Sequence, residues 1–197
     1  MKKSYFTFLC LALLTLASQT AWADTDYYSG FCGPIDNEQT IAWTLNAKTG
    51  EMTLIGSGPM KDYAFSNSVP WYYQRDKIKK VVIGSGITSI TEFAFIACDN
   101  LTEVTIPSSM TTIGKDAFYD CPKLIDITIP YGVTTIEEGA FKNCDNLTDV
   151  TIPSSVTNIG MYAFSGCDNL ITASIPGSLP VMPTGLVNDC VVFFFRL

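Results

Sequence analysis

The residues of this chain best suited to chemistry are its seven cysteines. Four of them, Cys98, Cys121, Cys144 and Cys167, recur every 23 residues, and Cys190 falls one interval further on. A thiol can serve as a nucleophile, a zinc ligand or half of a disulfide. Carboxylates share the same spacing: Glu103, Asp126 and Asp149 follow Lys80 and precede Thr172. Histidine is absent, which excludes Ser-His-Asp and Cys-His catalysis within this chain, histidine-ligated zinc and a histidine pH switch. No Gly-rich phosphate loop follows a strand and opens a helix, and nothing in the sequence places two carboxylates in a glycosidase-like cleft. The chain reads as a non-enzyme that needs no cofactor.

The elements that carry these residues repeat. From Ile87 the chain reads ITSITEFAFIACDNLTEVTIPSS, MTTIGKDAFYDCPKLIDITIPYG, VTTIEEGAFKNCDNLTDVTIPSS and VTNIGMYAFSGCDNLITASIPGS. Phe95, Phe118, Phe141 and Phe164 form one recurring position, each after an alanine; Ile90, Ile113, Ile136 and Ile159 form another. Leu101-x-x-Val104-x-Ile106 has the L-x-x-L-x-L pattern of a leucine-rich repeat. Its alternation predicts a short strand with Val104 and Ile106 inward, ended by Pro107. The return side is expected to use irregular or 3₁₀-like turns. One copy buries too few apolar side chains to offset the ordering of its own backbone, so copies must stack. The predicted fold is a β-rich, right-handed solenoid with a parallel sheet on its concave face. Four full repeats span 87–178, IKKVVI at 78–83 supplies an opening strand, and 179–197 is a degraded copy in which Phe193 falls one period after Leu170.

Stacking answers the cysteine question. Equivalent residues of adjacent coils lie about 4.8 Å apart, so Cys98, Cys121, Cys144, Cys167 and Cys190 form a straight column. Parallel Cβ vectors neither converge tetrahedrally on a metal nor suit the disulfide dihedral. Packing as small hydrophobes is the favoured reading, with an isolated disulfide as the alternative and no metal site expected. Cys32 lies outside the column.

The N-terminus has its own logic. Lys2 and Lys3, the apolar run FLCLALLTLA, then Ala21 and Ala23 in SQTAWA have the layout of a secretory signal peptide over 1–23, cleaved near Ala23. No stretch reaches the roughly 18 apolar residues of a membrane span. Losing two lysines and no acids moves the formal net charge from −7 to −9, a poor match for nucleic acid or anionic membrane. Residues 24–77 break the period and read as a cap. TIAWTLN and EMTLIGSG form a β-hairpin with Ile41, Trp43 and Leu45 facing Met52 and Leu54. The loop SVPWYYQRDK then presents Trp71, Tyr72 and Tyr73.

The repeat T-x-I-x-x-x-A-F-x-x-C-x-x-L-x-x-V-T-I-P-x-x-V resembles the BspA-type leucine-rich repeat of bacterial surface and secreted proteins. The segment WTLNAKTGEMTLIGSGPM…VPWYYQRDKIKKVVIGSGITSI resembles the one that precedes such arrays. The resemblance implies a secreted or cell-surface interaction protein, some relatives being adhesin-like toward host matrix proteins or other cells.

A partner is expected on the concave face. One outward column reads Lys80, Glu103, Asp126, Asp149, Thr172, and the next reads Val82, Thr105, Thr128, Thr151, Ser174. Beside a plain solvated face, the chemistry these columns offer is capture of a basic protein segment; calcium needs more converging oxygens than one column supplies. No aromatic is placed on this face, so a glycan partner would use Trp71, Tyr72 and Tyr73 on the cap. A third possibility is a structural component that self-associates through the apolar C-terminal strand. The expected partner is an extracellular protein, a host matrix or cell-surface ligand.

Overall fold

The computed structural model describes residues 26–34, 40–177, 179, 183–188 and 193–196; the expected leader over 1–23 and Cys190 lie outside them. The chain opens with β1 (Tyr27–Phe31), β2 (Ile41–Asn46), β3 (Glu51–Gly56) and β4 (Gly58–Pro59). Each coil then supplies a pair: β5 (Lys80–Ile83) and β6 (Ile87–Ile90), β7 (Glu103–Thr105) and β8 (Thr112–Ile113), β9 (Asp126–Ile127) and β10 (Thr135–Ile136), β11 (Asp149–Thr151) and β12 (Asn158–Ile159). The described strands end with β13 (Thr172–Ile175) and β14 (Phe193–Arg196).

The result is a β-solenoid of stacked coils. One sheet has the order β1-β2-β3-β5-β7-β9, its parallel part running β3-β5-β7-β9; a second, β12-β10-β8-β6-β4, forms the return side; and β11-β13-β14 make a third. The return side is therefore a second parallel ladder, and no described coil residue is 3₁₀. Tight turns join that ladder to the next strand, with two left-handed residues per coil. One position is Phe93, Asp116, Gly139, Tyr162 and Gly185; the other is Ala97, Asp120, Asn143 and Gly166. Gly139 is required twice over: its φ is +63°, and a Cβ there would lie 2.1 Å from the Asp116 Oδ1 of the coil before. The turns are themselves bonded across coils, since Phe95 N donates to Ala117 O at 2.7 Å, Phe118 N to Ala140 O at 2.8 Å and Phe141 N to Ala163 O at 2.8 Å.

Inside, each sequence period becomes a column of touching groups. Phe95, Phe118, Phe141 and Phe164 stack with centroids 5.3, 5.3 and 5.2 Å apart and ring planes within 11° of parallel. The thiols form their own ladder. Cys121 Sγ–H donates to Phe95 O at 3.1 Å, Cys144 to Phe118 O at 3.3 Å and Cys167 to Phe141 O at 3.2 Å. No disulfide joins any two described cysteines. Burial pushes the Cys32 thiol up to about 12 and holds those of Cys98 and Cys144 well above the ordinary thiol range.

The predicted hairpin forms with the expected faces, Ile41, Trp43, Leu45, Met52 and Leu54 all buried. Two features of this segment go beyond that expectation. β3 pairs in parallel with β5, Met52 facing Val81 and Leu54 facing Ile83, so the hairpin continues the sheet of the array; β1 adds an outer antiparallel strand. Trp71 heads the ring column, stacked 5.6 Å from Phe95, with Trp43 edge-on against it at 5.6 Å. Its indole Nε1–H donates to Ala94 O at 2.6 Å, the acceptor that a phenylalanine amide bonds in later coils. Trp71 thus closes both the ring stack and an otherwise orphaned carbonyl.

At the far end the expected register slips. Phe164 N still donates to Leu186 O at 2.9 Å, one period after Ala163, but β14 pairs Phe193 with Thr172 rather than Leu170. The contraction falls after Leu186. It leaves the last strand parallel to β13 but two residues out of phase with the repeat.

Thiols buried in an apolar core are poor nucleophiles. A thiol reagent should leave Cys32, Cys98, Cys121, Cys144 and Cys167 unmodified in the native protein and label them on unfolding. Cys144→Ala, which removes one donor and leaves a small void, should cost about 1–2 kcal/mol in urea unfolding.

Candidate functional site

The outer face of the first sheet is set by register. Glu51 faces Lys80, Lys80 faces Glu103, and Glu103 faces Asp126; one strand set on, Asp149 faces Thr172. The second column runs Thr53, Val82, Thr105 and, across β11 and β13, Thr151 beside Ser174. Period-two alternation turns both columns outward because Val81, Val104, Ile127, Val150 and Ala173 turn into the core. Glu103, Thr105, Asp126, Thr128, Asp149 and Thr151 are exposed, and Lys80, Thr172 and Ser174 partly so.

The charges on this face differ in how they are held. Lys80 Nζ lies 2.8 Å from Glu103 Oε1, and that hydrogen bond raises the lysine's pKa. Asp149 accepts from the Thr172 hydroxyl and from that of Thr148, which holds its carboxyl below the usual range. Asp126 has neither kind of partner among the described residues. It sits between Glu103, already matched by Lys80, and Asp149, one rung on.

At that rung the ladder breaks. β9 and β11 remain neighbours but belong to different sheets, with no ladder hydrogen bonds between them. Like charges opposite one another on adjacent strands are destabilising. Glu103 and Asp126 are also like charges, but Lys80 matches Glu103; at the next rung neither carboxylate has a cation among the described residues, Asp149 being held by hydroxyls alone. Over the gap opens a groove of about 860 Å³, walled by Ile152, Pro153, Pro130 and Pro176, with Asp126 and Asp149 toward one end. Tyr131, 75% exposed, stands at the other. An aromatic therefore stands beside this face, although none lies in its two outward columns. It lies in the loop after the strand, where the other coils carry Ser108 and Ser154.

The aromatic cluster of the cap does not form one surface. Trp71 is 1% exposed, spent on the ring column, and has no face left for a ligand. Tyr72 is half-buried beneath the Arg75 guanidinium, 4.1 Å from its centroid, and Tyr73 is exposed, edge-on to Tyr72. The cap instead contributes to the sheet face: Tyr27, Thr44, Asn46, Glu51 and Thr53 line a shallow depression of about 290 Å³. Two signals were legible for these additions. Glu51-Met52-Thr53 repeats the pattern of Glu103-Val104-Thr105, and Tyr131-Gly132 departs from the Ser-Ser of its neighbouring repeats.

This architecture, parallel coils of 23 residues with a strand on the L-x-x-L-x-L segment, defines a leucine-rich repeat protein. The BspA type leucine-rich repeat region matches residues 60–192 in six copies, and the chain belongs to that family. Among solved structures, a leucine-rich repeat protein from Bacteroides ovatus is similar at 25% identity and TM-score 0.63. That likeness covers 86% of this chain and 45% of the other, so the chain spans less than half of that relative's length. The T. pallidum leucine-rich repeat protein is similar at 21% identity and TM-score 0.53, over 79% of this chain and 84% of that one. The pneumococcal vaccine antigen PcpA is similar at 22% and TM-score 0.53, over 58% and 31%. The last two likenesses are of fold. No curated protein matches the chain, and no described helix is long and apolar enough to cross a membrane.

Two predictions follow from the charges. Asp126→Asn should remove the repulsion, raise stability by roughly 0.2–1 kcal/mol in urea unfolding and slow amide exchange along β9 and β11. Elsewhere burial raises the carboxyls of Glu92, Asp116 and Asp145, so the folded chain takes up their protons before the unfolded chain does. Stability should therefore rise as pH falls from 7 toward the carboxylate range, then decline once Asp149 is protonated through its lowered pKa. Urea unfolding across this range checks the sign, and Asp116→Asn should flatten the rise.

Proposed function

We propose that the chain is a non-catalytic, secreted or surface-displayed binding protein that holds an extracellular protein on the outer face of its long sheet. The observation that carries this reading is the pair of columns, carboxylate and hydroxyl, held in register from Glu51 to Asp126 and resumed at Asp149. A rigid row of regularly spaced polar groups is how repeat proteins present an extended binding surface. Membership of a bacterial leucine-rich repeat family supports it, since leucine-rich repeat domains generally mediate protein binding. An N-terminal leader over 1–23 would deliver the chain outside the cell, with 24–77 as cap and 78–197 as the array.

The partner's complementary chemistry is basic. Column residues Lys80, Glu103, Thr105, Asp126, Thr128, Asp149, Thr151, Thr172 and Ser174 would make the contacts, Glu103, Asp126 and Asp149 contributing the charge. The test is binding of the chain from Asp24 onward to immobilised matrix proteins and a glycan array, at low and high salt. Saturable protein binding should weaken with salt and fall at least about tenfold in Glu103→Lys with Asp126→Lys. Glycan binding indifferent to that pair would sink the reading and move the site to Tyr72 and Tyr73. Silence on both arrays, with size growing with concentration, would replace it by self-assembly.

A further inference from the structure

We propose that the groove over the β9–β11 gap is an anchor site for an extended, cationic segment of a protein partner. A lysine or arginine of the segment meets Asp126 and Asp149, and a proline or aliphatic residue further along lies against Tyr131. The inference rests on the reading of this face as a protein-binding surface and names the place and chemistry of its strongest contact.

Two features converge on that occupant. The first is charge. Among the described residues Asp126 has no cation and Asp149 is held only by hydroxyls, so the end of the groove carries two negative charges that no described cation neutralises. A lysine or arginine between them would relieve the repulsion of the two carboxylates. The second is the apolar wall. Pro130 and the exposed ring of Tyr131, backed by the buried Ile152 and Pro153, offer an apolar and aromatic surface of the kind on which proline-containing extended segments dock.

Spacing fixes the length of the segment. Asp126 and Tyr131 are five residues apart along the coil, at most roughly 17 Å at full strand rise, so an extended peptide of about six residues is long enough to touch both ends. Neither end alone would suffice: the carboxylates are solvated, and an isolated tyrosine is a weak platform.

The experiment uses two fluorescein-labelled hexapeptides, Lys-Lys-Ser-Ser-Pro-Pro and its reverse, because the groove does not dictate chain direction. Norleucine and glutamate replace lysine in control peptides, and maltohexaose is titrated in parallel. Binding is followed by anisotropy and located by amide shift changes in the full chain. Three variants accompany the wild type. Tyr131→Ser restores the residue found in neighbouring repeats, so it is expected to fold; Asp126→Asn removes one charge; Glu138→Gln removes an exposed carboxylate on the return side, away from the groove.

The expected result is binding of one lysine peptide with shifts confined to residues 126–131 and 149–154. It should weaken about tenfold or more in Tyr131→Ser and in Asp126→Asn, be unaffected by Glu138→Gln, and be lost with norleucine or glutamate. Shifts elsewhere, equal binding of the norleucine peptide, or maltohexaose binding in the groove would overturn it. A large protein ligand lost in Glu103→Lys yet indifferent to Tyr131→Ser would overturn the anchor while leaving the binding face intact. Peptide binding in the groove without any large ligand would support the anchor and tell against the wider reading.

Discussion

The fold hangs on in-register stacking of identical side chains, and the phenylalanine column is its firmest case. Rings 5.2 to 5.3 Å apart and nearly parallel fix the distance and the rotation of each coil against the next. Once that register is set, everything else in the repeat is carried into line. The alanine before each ring presents its carbonyl to an amide of the preceding coil, the cysteine reaches the carbonyl of the preceding phenylalanine, and the strand falls beside its neighbour. The thiols are thus small polarisable fillers with one weak donor each. That combination suits a position which needs modest volume and one hydrogen bond.

A stack needs an end. At the N-terminal end the chain supplies an indole where the array would supply a phenyl, and the larger ring covers more of the apolar face while its N–H replaces a missing backbone donor. Trp43 closes over it, on a strand that belongs to the same sheet as the coils. Cap and array are therefore one continuous sheet face, and the outer columns begin on the hairpin, at Glu51 and Thr53.

The same register that builds the core places like charges opposite one another on the surface. Stacking treats every column alike, so a carboxylate recurring with the period must meet its own kind. Lys80 relieves Glu103, Thr172 relieves Asp149, and Asp126 is left without relief at the rung where the sheet parts. Buried ring contacts hold the coils together on the far side of the same rung, so the parting stays local. A site that is unfavourable when empty is a reasonable place for a ligand to gain affinity, because binding removes a cost already present in the unliganded protein.

The 23-residue period made the solenoid, the ring and thiol columns and the outward columns legible in the chain alone, because each depends only on which residues recur and at what interval. Periodicity is one-dimensional information, and stacking converts it directly into contacts. The hairpin was legible from alternation for the same reason. What needed the folded molecule were the departures from period: Trp71 turned inward to end the stack, β3 joined to the array, a second ladder on the return side, and the slip before Phe193. The parting between β9 and β11 belongs with them, as does Tyr131 beside it. Each is settled by competition between a local preference and a neighbour one coil away, such as an orphaned carbonyl at Ala94 or a charge at Asp149, and the outcome of that competition depends on distances that no repeat pattern encodes.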